Sequence, residues 1–288
     1  MRQDRLITLG VVRPFRAAWP PARPRPSIPI LMYHSVSDDP EPGVSAYYRT
    51  AVSPRRFGEQ MRFLHAHGWR GVGLREGIAL GEGARGGDVV ILTFDDGFRD
   101  FATAALPILQ GFGFRATVFL PTAFIAGEGP PRQFRGRDCL TWAEAAQIGR
   151  AGIELGSHTV HHPELASLPW PEAESEITLS RSEIQRRLGL PVTSFSQPFA
   201  FPQADAPFCS RLRASLVRVG YEACVTTEIG RAATGADPFR LKRLPVNEAD
   251  DIPLFAAKLA GSYDWLGLPQ RASKAFRSRR PALETATP

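Results

Sequence analysis

The sequence contains few cysteines and no long apolar run, and each shortage excludes a class of protein. Its three cysteines, Cys139, Cys209 and Cys224, are odd in number and show no CxxC spacing. Neither a disulfide framework nor a thiolate zinc site is indicated, so we expect buried thiols. No run is long enough to cross a membrane, and the basic N-terminus lacks the apolar core of a signal peptide. These absences predict a cytoplasmic location without a transmembrane segment.

The net charge of +6 is confined to the chain ends. Residues 1–27 carry six arginines and one aspartate, and residues 268–288 carry five basic residues and one glutamate, which leaves residues 28–267 slightly acidic. Because the body has no basic surface that could follow a phosphate backbone, no nucleic-acid partner is expected. The basic ends could contact an anionic lipid or glycolipid, or they could be solvated and disordered.

Strand and helix patterns alternate about seven times between residues 28 and 267, which predicts an α/β domain with a parallel sheet. The run Val89–Leu92 reads as a strand buried on both faces. We therefore predict a Pro/Arg-rich N-terminal arm over 1–27, extended over 13–29, one domain over 28–267 and a basic, disordered tail over 268–288. Polar residues follow three predicted strands, at His34, Asp95-Asp96 and His158, and this placement favours a barrel over a doubly wound sheet.

Adjacent carboxylates at Asp95 and Asp96 repel each other unless a cation, a shared proton or a helix N-terminus offsets the charge. One interpretation has Asp96 capping a helix that begins near Phe98. The other is a metal site, because His158 and His162 are spaced i, i+4 and would bring two imidazoles to one side of a turn. With one aspartate they form an N,N,O ligand set that suits Zn²⁺ or a similar divalent ion.

Several short motifs resemble those of the polysaccharide deacetylases, the carbohydrate esterases built on the NodB homology domain. Over residues 28–247 they are Thr93-Phe94-Asp95-Asp96-Gly97, Leu140-Thr141-Trp142, Gly156-Ser157 and His158-Thr-x-x-His162-Pro163. The resemblance implies a deformed (β/α) barrel of about seven parallel strands. It implies a metal, Zn²⁺ or else Co²⁺ or Ni²⁺, held by Asp96, His158 and His162, with Asp95 as the general base. A backbone N–H in Phe195–Phe199, near Pro198 and Phe199, would bind the oxyanion.

The chain departs from the family pattern at two positions. Many relatives carry an arginine that pairs with the base where this chain has Ser196, and Arg243 or Arg240 is the predicted replacement. An unpaired base would have a raised pKa. The usual late histidine is also absent, whereas Ile30–His34 resembles the rearranged subgroup of the poly-N-acetylglucosamine deacetylases, in which the general acid lies on an N-terminal strand. His34 is therefore the predicted acid.

These features together predict a hydrolase that removes N-acetyl groups from amino-sugar units of a polysaccharide or of its oligosaccharide or lipid-linked precursor, as in exopolysaccharide biosynthesis. An O-acetyl carbohydrate esterase is the nearest alternative, since the same attack by water serves both substrates. Two further alternatives are a carbohydrate-binding barrel without turnover and a metal phosphoesterase. Binding alone requires neither a base nor an acid, and a phosphoesterase would normally need more ligands than this chain offers.

Overall fold

A computed structural model of the chain describes residues 2–19, 26–81 and 89–271. The strands of this part of the chain are β1 (Ser27–Ile28), β2 (Ile30–Tyr33), β3 (Ser35–Val36), β4 (Ala51–Val52), β5 (Arg70–Val72), β6 (Val89–Phe94), β7 (Thr117–Leu120), β8 (Gln133–Phe134), β9 (Arg137–Asp138), β10 (Glu154–Ser157), β11 (Ser194–Ser196), β12 (Ala223–Ile229), β13 (Ala232–Ala233) and β14 (Leu241–Pro245).

The α-helices of the same part are α1 (Gln3–Ile7), α2 (Arg13–Ala18), α3 (Pro54–Ala66), α4 (Leu74–Gly81), α5 (Leu106–Gly111), α6 (Trp142–Arg150), α7 (Trp170–Leu188), α8 (Ala206–Val219) and α9 (Ile252–Leu259). Two π-helical stretches precede α2 and α5, at Thr8–Val12 and Phe101–Ala105.

Seven parallel strands close into a barrel, as predicted. Their order is β2, β14, β12, β11, β10, β7 and β6, and the β2–β6 pairing completes the ring. Strand β5 pairs in parallel with the first half of β6. Because all seven strands run the same way, the residues that follow them meet at one rim. That rim therefore receives His34, Asp95 with Asp96, and His158.

Strand β6 shows how the apolar pattern divides between the two layers of the fold. All six of its residues are buried. Val90 and Leu92 join the large cluster that includes the helices, whereas Val89 and Ile91 join a second cluster with residues of β2, β7, β12 and β14. Side chains alternate along a strand, so Asp95 continues the second, inward-facing row. The alternation thus directs this carboxylate into the barrel.

The helix boundaries predicted from capping residues are confirmed. Ser53 caps the start of helix α3, and its hydroxyl accepts from the Arg56 N–H. Helix α6 begins with a capping box in which Thr141 and Glu144 satisfy each other's backbone N–H groups. Helix α7 ends at Gly189, whose φ of 63° is a left-handed conformation that glycine adopts without strain.

The extended conformation predicted for residues 13–29 is wrong over Arg13–Ala18, which form a helix that continues directly from Gln3–Ile7 and Thr8–Val12. Local composition favoured an arm, but ion pairs with residues near α9 hold this helix on the barrel. Residues 20–25 and most of the tail, 272–288, lie outside the described residues. The proposed domain boundaries stay predictions. Within the described ranges no helix combines the length and the apolarity that a membrane span requires.

Candidate active site

Asp96, His158 and His162 meet at the rim where the barrel strands end. One ligand atom from each lies within 4.8 Å of the others. Asp96 Oδ1 is 3.4 Å from His158 Nε2 and 3.3 Å from His162 Nε2. All three residues are at least nine-tenths buried. The grouping that the sequence predicted is therefore present.

The geometry of this cluster fits a shared cation better than direct hydrogen bonds. Asp96 Oδ1 is buried and has no hydrogen-bond partner among the described residues. Ligands about 2.0–2.1 Å from a tetrahedral Zn²⁺ lie about 3.3 Å from one another, close to both oxygen–nitrogen distances. A buried, unpartnered carboxylate oxygen is costly, and a bound cation would remove that cost. The three side chains thus fit a divalent metal.

A second contact fixes which nitrogen of His158 faces the cluster. Its Nδ1 lies 2.7 Å from the carbonyl oxygen of Ser196, which accepts only if Nδ1 carries the proton. Nε2, on the other side of the ring, then faces Asp96 and His162. A metal-binding histidine is commonly oriented by such a bond to a carbonyl. The bond therefore orients the His158 ring so that Nε2 faces the cluster.

The i, i+4 spacing of the histidines is realised in an irregular turn and not in a helix. Thr159 and His162 have φ values of 68° and 55°, which non-glycine residues rarely adopt, and Asp96 has a φ of 69°. The Thr159 hydroxyl accepts from the His162 N–H at 3.0 Å and donates to the His158 carbonyl. Such backbone conformations cost on the order of 1–3 kcal/mol each and cluster at functional sites.

Asp95 lies beside the cluster and is held by Arg243. Arg243 Nη1 donates to Asp95 Oδ1 at 2.8 Å, and Nη2 donates to Oδ2 at 2.7 Å. Ser196 Oγ lies 3.2 Å from Asp95 Oδ1 and 3.1 Å from Arg243 Nη2. Arg243 in β14 thus takes the place of the arginine that many relatives carry at the position of Ser196. Arg240, the other candidate, pairs with Glu228.

The contact with Arg243 lowers the pKa of Asp95, whereas a raised pKa was expected for an unpaired base. Burial alone would raise this pKa, but the charges of Arg243 and His158 and the hydrogen bonds from Arg243 outweigh burial and lower it below the ordinary value. The higher pKa expected of an unpaired base therefore does not apply. Arg243 is only 1% exposed and is too deep to contact a substrate. Its role is therefore to orient the Asp95 carboxylate through the two hydrogen bonds.

His34 follows β2 at the same rim. The Asp95 N–H donates to the Tyr33 carbonyl at 3.0 Å, which places His34 next to the carboxylates across the β2–β6 pair. Burial lowers the pKa of His34, and the nearby charges of Asp96 and Asp95 oppose that shift only in part. A lowered pKa makes the protonated imidazole a stronger acid. His34 is half-buried in the folded chain.

The segment after β11 places Phe199 over the site. Its ring centroid is 4.9 Å from that of His162, and its φ is 56°. The Phe199 N–H has no acceptor within the described part of the chain, as an oxyanion donor requires. Pro198 has no N–H, and its carbonyl accepts from the Gln197 side chain. Phe199 is thus the member of this segment able to donate.

Sequence reasoning missed the β8–β9 hairpin, which places Phe134 and Arg135 beside His162 and Phe199. The Phe134 ring lies 4.9 Å from the His162 ring, and the Arg135 guanidinium lies 5.0 Å from Phe134 and 5.3 Å from Phe199. Gly136 in the turn was the available signal for this hairpin. No apolar periodicity marks so short a pair of strands. His161, which matched no ligand position, is exposed and contacts Glu176.

The alternative assignment of Asp96 as a helix cap is not realised. The next helical segment is the π-helical stretch Phe101–Ala105, and Asp100 occupies the position before it. The Asp100 carboxylate instead accepts from the Ser35 hydroxyl at 2.5 Å and from the Val36 N–H at 3.0 Å. Asp100 therefore steadies the backbone that follows His34, and Asp96 is free for the cluster.

Comparison with known proteins places the chain in a family. Residues 82–224 match the family model described as polysaccharide deacetylase. The chain belongs to the polysaccharide deacetylases. The family is one of hydrolases, and the match includes the Asp95-Asp96 and His158–His162 motifs.

Two relatives of this polysaccharide deacetylase agree with the assignment. A Bacillus subtilis (strain 168) protein named as a polysaccharide deacetylase, YxkH, is 28% identical over 233 residues, which is 80% of this chain and 75% of that protein. The poly-beta-1,6-N-acetyl-D-glucosamine N-deacetylase of Escherichia coli (strain K12) is 30% identical over 142 residues. That match covers 45% of this chain and 20% of the E. coli protein.

The fold also matches that of a solved deacetylase. The structure of the Streptococcus pyogenes deacetylase PplD in complex with acetate superposes with a TM-score of 0.67 at 21% sequence identity. The alignment covers 82% of this chain and 99% of that one. This likeness confirms the predicted deacetylase-type barrel.

Proposed function

We propose that this polysaccharide deacetylase is a metal-dependent hydrolase that removes N-acetyl groups from amino-sugar units of a polysaccharide or of its oligosaccharide or lipid-linked precursor. The observation that carries the proposal is the buried group of Asp96, His158 and His162 beside Asp95. The E. coli relative is named for N-deacetylation of poly-beta-1,6-N-acetyl-D-glucosamine, which supports an N-acetylated glycan as the substrate.

Asp96, His158 and His162 would hold the metal, and two nitrogens with one oxygen favour Zn²⁺, with Co²⁺ or Ni²⁺ as alternatives. When bound, a divalent ion there supplies Lewis-acid polarisation of the acetyl carbonyl and a lowered pKa for the attacking water. The three side chains are buried, and electrostatic interactions are stronger in such surroundings than in bulk water.

The other residues have separate roles in breaking the amide. Asp95 takes a proton from the attacking water, and Arg243 keeps this carboxylate ionised and aimed. The Phe199 N–H donates to the acetyl oxygen as it becomes negative. His34 gives a proton to the nitrogen as the carbon–nitrogen bond breaks, which releases acetate and a free amine. Arg243 is a positioning residue in this scheme.

The experiment that tests the proposal compares two histidines of the same turn. The full chain is stripped of metal, reloaded with Zn²⁺, Co²⁺ or Ni²⁺, and assayed for acetate release from N-acetylglucosamine oligomers. His158→Ala should lose both bound metal and acetate release, whereas the matched control His161→Ala should keep both, because His161 is exposed and pairs with Glu176. Equal metal content in the two variants would contradict the assigned ligands.

A second pair of variants separates chemistry from binding. Asp95→Asn should lower kcat by about 10²- to 10⁴-fold, as loss of a general base does, while metal binding persists. His34→Ala should also lower kcat. Oligomer binding without acetate release in the wild-type protein would favour the carbohydrate-binding alternative. Release from O-acetylated but not N-acetylated sugars would favour the esterase.

We also propose that the enzyme acts on a cytosolic precursor, which would agree with the expected cytoplasmic location. A contact of the basic chain ends with anionic lipid or glycolipid is likewise a proposal and is independent of the catalytic site.

A further inference from the structure

The N-terminal helix exposes an unusual amount of apolar surface. Twelve large apolar side chains are exposed in the described residues, and five of them lie on this helix or at its end. They are Leu6, Ile7, Val11, Phe15 and Trp19, with exposed fractions of 44%, 39%, 62%, 64% and 76%. These five residues are called the apolar stripe below. A single exposed apolar residue is ordinary, but a contiguous set indicates a contact surface.

The spacing of these residues aligns them along one side of the helix. Ile7, Val11, Phe15 and Trp19 recur every four residues, and the rings of Phe15 and Trp19 are stacked with centroids 6.4 Å apart. An α-helix has about 3.6 residues per turn, so side chains four residues apart shift gradually around its axis. The π-helical stretch Thr8–Val12 has more residues per turn, which makes this shift smaller.

The first half of the helix is fixed to the barrel. Arg2 pairs with Asp250 at 3.1 Å, and Arg5 pairs with Asp251 at 2.6 Å. Trp265 Nε1 donates to Thr8 Oγ1 at 3.1 Å. Arg2 and Asp250 are both buried, so this attachment is part of the folded domain. The helix therefore cannot turn its apolar stripe inward without breaking these contacts.

The end of the helix beyond Val12 carries positive charge that is accessible to solvent. Arg13 is exposed and Arg16 half-exposed, and neither forms an ion pair with a described residue. The one acidic residue of the helix, Asp4, is buried and paired with Arg2. In sequence, Arg23 and Arg25 follow closely. Arginines beside an apolar face complement a surface that is negative outside and apolar beneath.

We propose that the helix of residues 3–18 docks this deacetylase on an anionic membrane surface. The apolar stripe enters the boundary between headgroups and acyl chains, while Arg13 and Arg16 contact the phosphates. A helix with an apolar face and basic flanks lies in the plane of a lipid interface in this way. Such docking would hold the enzyme at the place where a lipid-linked glycan is presented. It does not depend on the catalytic roles proposed above.

Vesicle sedimentation of the full chain tests the proposal. The protein should sediment with vesicles of phosphatidylcholine and phosphatidylglycerol but not with phosphatidylcholine alone, and high salt should weaken the binding. The triple variant Ile7→Ser/Val11→Ser/Phe15→Ser should bind at least tenfold more weakly. The matched control Leu179→Ser/Val217→Ser removes side chains that are 57% and 50% exposed on α7 and α8 and should bind as the wild type does.

A charge-reversal pair tests the second half of the surface. Arg13→Glu/Arg16→Glu should abolish binding to the anionic vesicles, whereas Arg62→Glu/Arg150→Glu, at exposed positions on α3 and α6, should leave it unchanged. Acetate release from a soluble oligomer should equal that of the wild type in all four variants. This readout separates a failure of docking from a failure of the deacetylase assignment.

Three results would overturn the proposal. The first is equal vesicle binding by the triple variant and the wild type. The second is equal binding to neutral and anionic vesicles, which would remove the role of the arginines. The third is a wild-type oligomer in sedimentation velocity that becomes a monomer in the triple variant and does not bind vesicles, because a second copy of the chain would then cover the apolar stripe.

Discussion

Removal of Arg243 should destabilise the fold as well as stop the reaction. All five N–H groups of its guanidinium donate hydrogen bonds. They go to Asp95 at 2.8 and 2.7 Å, Thr93 at 3.2 Å, Thr226 at 3.0 Å and Ser196 at 3.1 Å. Arg243→Met keeps much of the volume but leaves Asp95 charged, buried and unpaired.

The expected loss follows from the burial of this pair. Asp95 is 3% exposed and Arg243 is 1% exposed, so water cannot replace the lost partner. Breaking a buried ion pair by removing one member costs about 3–5 kcal/mol. Against a typical unfolding free energy of about 5–15 kcal/mol, this is a large fraction. The melting temperature should fall on the order of 10 °C.

A double-mutant cycle measured by urea unfolding isolates this interaction. Arg243→Met, Asp95→Asn and the double variant are compared with the wild type in the presence of a chelator, so that metal binding does not contribute. Since the double variant buries no unpaired charge, its loss of unfolding free energy should be smaller than the sum of the single losses by about 2–3 kcal/mol.

The surface pair Arg55 and Glu59 provides the matched control. These side chains contact each other at 2.6 Å, but Arg55 is 71% exposed. The same cycle with Arg55→Met and Glu59→Gln should give a coupling of about 0.5 kcal/mol or less. If the Asp95–Arg243 cycle is additive to within about 0.5 kcal/mol, the pair does not stabilise the site as argued.

Three further substitutions test backbone packing and helix capping, with stability read from urea unfolding. A Cβ at Gly156 would lie 2.4 Å from Phe119 Cδ1, so Gly156→Ala should lower the free energy of unfolding by about 1–3 kcal/mol. Gly58 in α3 has nothing within 4 Å of such a Cβ, so Gly58→Ala should raise the free energy of unfolding by about 0.5–1 kcal/mol. A stable Gly156→Ala variant would show that Phe119 can move aside. Thr141→Ala removes the capping box of α6 and should cost about 1 kcal/mol; an unchanged midpoint would show that the cap contributes little.

Local signals in the sequence determined most of the barrel. The buried run of β6, the caps at Ser53 and Thr141 and the stop at Gly189 each act over one or two turns of chain, so residue types suffice to predict them. The motif at Asp95-Asp96 also predicted correctly which residues group together, because parallel strands bring their carboxyl ends to one rim.

Tertiary structure decided the contacts between distant segments. Asp95 and Arg243 are 148 residues apart, and only the β2–β14 and β2–β6 pairings bring them together. The N-terminal helix depends on Asp250 in the same way, across 248 residues. Proline and arginine near the start of the chain favoured an extended arm. That prediction failed because composition reflects local preference and carries no information about a partner so far along the sequence.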